Sequence, residues 1–343
     1  MNKGKVALLS LTLAPFFQPA YSQLPSRPDG PVSDRRPVIK TQVDMVVADV
    51  LVTRPKSGRA VSGLKKEDFV LFEEGVQQQI THFSQNSLPL SVILLVDRGA
   101  CLDPFNSQVR SATREALARL KPQDEVALMS FSETTELVQG FTQDRDRVAE
   151  ALDRLPHHED EGDHCFNRAF YEAASYMRKA GNPDGRRVII LITGWTTSFD
   201  CSGPSAQETR DAVLESGSVV CGLVPRTTAQ QLESGIIRIA TGVSRLMKIP
   251  TSSLKDLAEE TGGEVFTDAP EKLDQAFGVL MHHLRTRYSL GFVSSNSKRD
   301  GTFRRLTLQL APPVEKREGK LAVRTRRGYL APRAAGPEQT TIQ

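Results

Sequence analysis

Two unbroken apolar runs constrain this chain more than any other feature. Residues 91–96 read SVILLV and residues 187–192 read RVIILI, with consecutive aliphatic positions from Val92 and from Val188. A strand with one wet face alternates; one that is aliphatic at every step has both faces covered, as parallel strands in an α/β sandwich do. Helical periods lie between and after the two runs. The pattern predicts strands at 91–97, 124–131, 134–138, 187–193, 218–224 and 263–267, and helices near 106–120, 144–155, 166–180, 205–216, 252–261 and 270–286. The expected core, residues 88–287, is a doubly wound, mostly parallel sheet with helices on both faces.

The rhythm changes on either side of that core. Residues 43–52 (VDMVVADVLV) alternate, and short strands are predicted at 69–72 and 79–83 around a Glu74-Gly75 turn. Alternation returns at 288–293, 303–310, 321–325 and 328–329. Three early strands cannot bury a face alone, so residues 40–86 and 288–331 are expected to combine as one smaller antiparallel β domain. Arg304, Arg305, Arg324, Arg326 and Arg327 are expected on its wet face. Residues 23–39 read as a linker and 332–343 as a polar tail.

The first residues bear on the compartment. Lys3 and Lys5 precede an apolar run from Val6 to Phe17, and Ala20-Tyr21-Ser22 gives small residues at the spacing a signal peptidase reads. Residues 1–22 are therefore expected to be a signal peptide, with cleavage before Gln23. The run is too short to span a bilayer comfortably, and no cysteine follows that could take a lipid. The expectation is an exported protein, periplasmic or secreted, with no stable membrane anchor.

Lys and Arg total 44 against 41 Asp and Glu, a balance that argues against a nucleic-acid surface. Cys101, Cys165, Cys201 and Cys221 all follow the cleavage site; an even count in an exported chain is compatible with two disulfides, in any of three pairings. No CxxC or Cys/His zinc spacing is present, so a structural zinc site is not expected. There is also no G-x-S-x-G elbow, P-loop or GxGxxG after a strand, and no enzyme activity is expected.

The order of these elements, SVILLVD, a helix, DEVALMSF, a short strand, a helix pair, RRVIILIT, a helix and SVVCGLV, resembles a von Willebrand factor A domain. The flanks VSGLKKEDFVLFEEGVQQQITHF (61–83), LAEETGGEVF (257–266), YSLGFV (288–293) and VRTRRGYLAP (323–332) are similar to those of VWFA-related exported bacterial proteins. The resemblance covers roughly 40–332. It implies a binding module with a divalent-metal site at the C-terminal edge of the sheet, built on Asp-x-Ser-x-Ser, a Thr in a later loop and an Asp after the fourth strand.

This chain departs from that pattern. Asp97 stands at the first position, but Gly99 and Cys101 replace the two serines, His164 falls at the Thr position and Gly194 at the second Asp, while Arg98 adds a cation. Mg²⁺ needs oxygen ligands in number, so no family-type metal site and no cofactor are expected, and Asp97 is read as a carboxylate capping loop N–H groups or pairing with Arg98. The resemblance places the loops of Cys101 and Cys165 side by side. It thereby implies a Cys101–Cys165 disulfide in place of the metal, with Cys201 and Cys221 as a second pair; free thiols or another pairing are the alternatives.

Two further features complete the reading. The run His157-His158-Glu159-Asp160-Glu161-Gly162-Asp163-His164 is the densest group of potential ligands, and the competing function is a metal-dependent enzyme using it; a structural envelope component is a third reading. Trp195 is either a half-buried loop anchor or a contact residue. The expected function is binding of a protein or surface polymer through loops 97–105, 160–166 and 194–204, at the edge of a degenerate metal-ion-dependent adhesion site.

Overall fold

In the computed structural model, residues 45–85, 88–155, 164–226 and 251–333 are described, all within one unit spanning residues 43–343. The segments expected to be signal peptide and linker, residues 334–343 of the expected tail and the His157–Asp163 run lie outside the described residues. In chain order the strands are β1 (Met45–Thr53), β2 (Phe69–Glu73), β3 (Val76–Gln78), β4 (Ile80–Ser84), β5 (Leu90–Asp97), β6 (Glu125–Phe131), β7 (Thr135–Thr142), β8 (Arg186–Ile192), β9 (Thr197–Phe199) and β10 (Val219–Pro225). They continue as β11 (Thr251–Ser253), β12 (Val265–Asp268), β13 (Tyr288–Val293), β14 (Phe303–Leu310), β15 (Ala322–Thr325) and β16 (Gly328–Leu330). The helices are α1 (Asn106–Ala118), α2 (Arg145–Asp153), α3 (Phe166–Tyr176), α4 (Ala206–Ser216), α5 (Leu254–Thr261), α6 (Leu273–Arg285) and α7 (Pro312–Glu318).

The central sheet has the order β12-β10-β8-β5-β6-β7 and is parallel except for the β6–β7 pair. All eight residues of β5 are buried, which is why SVILLV shows no alternation. Its side chains nonetheless alternate between two cores. Val92, Leu94 and Val96 meet Val109 and Ala112 of α1, Val148 of α2 and Phe277 of α6. Ile93 and Leu95 meet Phe166 and Phe170 of α3, Val213 of α4 and Leu254 of α5. Helix ends follow their local chemistry. Asp144 caps α2 by accepting from the Asp146 and Arg147 amides, and Ser205 and Glu208 form a capping box on α4. Gly217 ends α4 at φ 70°, the left-handed turn that glycine adopts without a Cβ clash.

The flanks build two antiparallel sheets, β15-β1-β13-β4 and β16-β14-β2-β3, each holding strands from both ends of the described chain. They share a core of Val50, Tyr288 and Phe292 from the first with Leu71 and Leu306 from the second. Tyr288 of the first sheet packs its ring against Phe69 of the second, centroids 5.1 Å apart, and its hydroxyl holds the connection before β2, donating to Val61 O and accepting from Leu64 N, both at 3.0 Å.

One arginine corrects the expected wet face. In FRRLTLQL, alternation puts Arg304 on the same side as Leu306, and Arg304 is buried with Glu73 at 3.7 Å and donates to Asn296 O at 2.7 Å. A buried acid on a neighbouring strand gives this cation a reason to point inward. Sequence periodicity also passes over α7 and the short strand pair β9–β11, whose register sets Thr251 opposite Phe199 and Ser253 opposite Thr197.

Candidate functional site

Three loops meet beyond the carboxyl ends of the central strands. Asp97 closes β5, and its side chain is wholly buried. Its carboxylate accepts from the Gly99 amide at 2.9 Å and from the Thr193 hydroxyl, just past β8, at 2.6 Å. His164, ahead of α3, sets Nδ1 2.9 Å from both carboxylate oxygens, and Cys101 Sγ lies 3.5 Å from Oδ2. Asp97 thus joins residues separated by nearly a hundred positions. Burial, then the charge of Asp97, pushes the Cys101 thiol up, so it stays protonated beside the carboxylate.

The two glycines at this edge are what make the arrangement possible. A Cβ on Gly99 would stand 2.1 Å from His164 Cε1, inside the imidazole ring. A Cβ on Gly194 would stand 2.9 Å from Cys101 Cβ and 3.1 Å from its sulfur. Side chains at 99 and 194 therefore exclude the imidazole and the thiol from their present places. The absence of a side chain at 99 and at 194 is thus what gives the histidine and the cysteine their room.

Such a donor set does not fit Mg²⁺. One carboxylate remains, committed to Gly99, Thr193 and His164, and the other gathered donors are an imidazole and a thiol. The remaining predicted residues surround this centre. Arg98 is buried and lies 3.6 Å from Glu136. Trp195 is half-buried against the α3 side of the core, with its ring centroid 6.3 Å from that of His164 and its amide donating to Thr193 Oγ1. Sequence reasoning missed Thr193, which holds Asp97, and Arg226, whose Nε donates to Gly194 O at 3.3 Å. It also missed Phe199, 58% exposed on β9. A threonine after a strand and an arginine after another carry no one-dimensional signal.

The disulfide differs from the expected pairing. Cys165 is joined to Cys201, with Cα atoms 5.4 Å apart, and Cys101 and Cys221 are free. The cause is local. Asn167 in the first turn of α3 donates Nδ2 to Cys201 O and Pro204 O and accepts from Cys201 N, drawing loop 200–204 over the helix start. Cys101 turns instead toward Asp97. Cys221 lies inside β10, where burial pushes its thiol up to about 11. Closing the 36-residue separation contributes about 4 kcal/mol in the chain-entropy model. Ser252 Oγ adds a bond to Asp200 Oδ1 at 2.6 Å, so loop 194–204 is held from both sides.

An open, mostly parallel α/β sheet with a polar centre at its C-terminal edge is the class these observations define. Residues 92–196 match the model of the von Willebrand factor type A domain, and this part of the chain is such a domain. No curated protein matches the chain. Among solved structures it is similar to proximal thread matrix protein 1 of the mussel byssus (10% identity over 58% of this chain and 49% of that one, TM-score 0.43). It is also similar to an aerotolerance-related membrane protein from Bacteroides fragilis (13%, 56% and 98%, TM-score 0.40) and to BatB from Bacteroides thetaiotaomicron (15%, 57% and 98%, TM-score 0.41). The chain thus spans about half the length of the mussel protein.

Proposed function

We propose that this is an exported, non-catalytic binding protein that holds a protein partner with the loops at the C-terminal edge of its von Willebrand A sheet. The observation that carries the reading is Phe199. It is 58% exposed on a loop fixed by the Cys165–Cys201 disulfide, the β9–β11 pairing and the Ser252–Asp200 bond. Aromatic side chains on pre-ordered loops bind at low entropic cost, the property of a contact anchor. Export is supported by the Lys3–Ser22 pattern and by the disulfide, which belongs to oxidising compartments. No helix among the described residues is long and apolar enough to cross a membrane.

The test is capture from envelope extracts on immobilised mature chain, comparing wild type with Phe199→Asp and with Val293→Asp. Val293 is 44% exposed on β13 of the flanking sheets, away from the edge. A protein retained by wild type and by Val293→Asp, and weakened at least about tenfold by Phe199→Asp, is expected, since losing an anchor costs about 2 kcal/mol. Retention that ignores Phe199→Asp and disappears with Val293→Asp moves the binding face to the flanking sheets and contradicts the proposal. A retained polysaccharide in place of protein contradicts its partner class.

A further inference from the structure

We infer that Asp97, Cys101 and His164 form a binding site for a single zinc ion. Their donor atoms, one carboxylate oxygen, Sγ and an imidazole nitrogen, all lie within 4.8 Å of one another. In tetrahedral zinc sites, ligands at about 2.0–2.3 Å from the ion stand roughly 3.3–3.8 Å apart. Here Nδ1 and the carboxylate oxygens are 2.9 Å apart, and Sγ and Oδ2 are 3.5 Å apart. The nitrogen–oxygen edge has to open by only a few tenths of an ångström for an ion to enter between groups that now bond directly.

The chemistry of the donors selects the ion. Thiolate and imidazole suit zinc, and the single carboxylate that starves Mg²⁺ completes a set of three protein ligands with a fourth position left for water or a partner's side chain. Binding releases the Cys101 thiol proton to solvent and shifts the His164 ring proton from Nδ1, where it now bonds Asp97, to Nε2, so that the Nδ1 lone pair faces the ion; the thiolate and carboxylate then balance its two charges. Support beyond the three ligands is in place. Thr193 orients Asp97 through its 2.6 Å hydrogen bond, and Cys165, next to His164, is tied by its disulfide to Cys201. Gly99 and Gly194 leave the space that the imidazole and thiol occupy, so the substitutions that remove the magnesium ligands are those that admit the zinc ligands. The resemblance sets Asp97, Cys101 and His164 at one edge of the sheet, while local spacing does not, because they come from two loops more than sixty positions apart.

Metal binding is measured on the bare chain, so it stands or falls separately from the partner. Chelator-stripped protein with its disulfide intact is titrated with Co²⁺ and then with Zn²⁺ against a chromogenic chelator. One equivalent of Co²⁺ with a thiolate charge-transfer band, displaced by one equivalent of Zn²⁺ and untouched by millimolar Mg²⁺, is expected. Cys101→Ser should abolish the band, and His164→Gln should weaken affinity by at least about tenfold, while Cys221→Ser changes neither. Thermal unfolding of each stripped variant checks that it folds. A wild-type chain without the band, or zinc that persists in Cys101→Ser and is lost on substituting His157 and His158, overturns the assignment.

Discussion

Asp49→Ala should lower the unfolding free energy of the chain by about 3–5 kcal/mol, the cost of leaving a buried guanidinium without its carboxylate. Arg186 begins β8 in the central sheet, and its side chain is 1% exposed. Its Nε and Nη2 donate to the two oxygens of Asp49 at 2.8 and 3.0 Å, and Nη1 donates to Leu284 O. Asp49 lies on β1 of the flanking sheets and also accepts from Ser289 Oγ of β13 at 2.8 Å. The pair therefore fastens the flanking sheets to the α/β core. Without Asp49 the arginine keeps only neutral acceptors, Leu284 O and Ser289 Oγ, and no counter-charge, whereas an exposed pair would contribute under about 1 kcal/mol.

The same pair sets a pH dependence. Burial acts to raise the Asp49 carboxyl, but the charge and hydrogen bonds of Arg186 outweigh it and hold the group below its usual range. A carboxyl with a depressed folded pKa contributes stability above its unfolded value, near pH 4, and loses that contribution as pH falls through the folded value. Urea midpoints from about pH 6 to pH 3 should fall for wild type and be flatter for Asp49→Asn. Equal slopes, or an Asp49→Ala cost under about 1 kcal/mol, would show that the fastening lies elsewhere.

Asp97→Ala should cost about 3 kcal/mol, measured in chelator so that no ion contributes. The substitution leaves the Gly99 amide, the Thr193 hydroxyl and the His164 ring nitrogen without their shared acceptor in a buried place. Each unsatisfied buried group costs about 1–3 kcal/mol, partly relieved where the loop relaxes toward water. Because that carboxylate holds the loops together, the variant should also lose partner capture. A variant as stable as wild type would mean that the three loops hold their places without Asp97.

The sheet was legible because burial on both faces leaves a one-dimensional mark. SVILLV and RVIILI contain no alternation since Val92 and Ile93 enter different cores that are both apolar. That Gly99, Cys101 and Gly194 offer a cation no side-chain oxygen was legible too. The packing around them was not. That Gly99 makes room for His164, and Gly194 for Cys101, is a steric relation between loops far apart in sequence. The disulfide was mispaired for a similar reason. Topology brings the loops of Cys101 and Cys165 close, but the hydrogen bonds of Asn167 decide which sulfur faces Cys165. Arg304 is the reverse case, where alternation with Leu306 points inward although the charge of the side chain suggests the wet face.

The most direct measurement of the central claim, that this edge is no longer a magnesium site, is calorimetric titration of Mg²⁺ into the chelator-stripped chain alongside Asp97→Ala. His164 Nδ1, set 2.9 Å from both oxygens of the sole carboxylate, predicts heats no larger than dilution up to millimolar Mg²⁺, the same for both proteins. A saturable micromolar affinity in the wild type that vanishes in Asp97→Ala would contradict it.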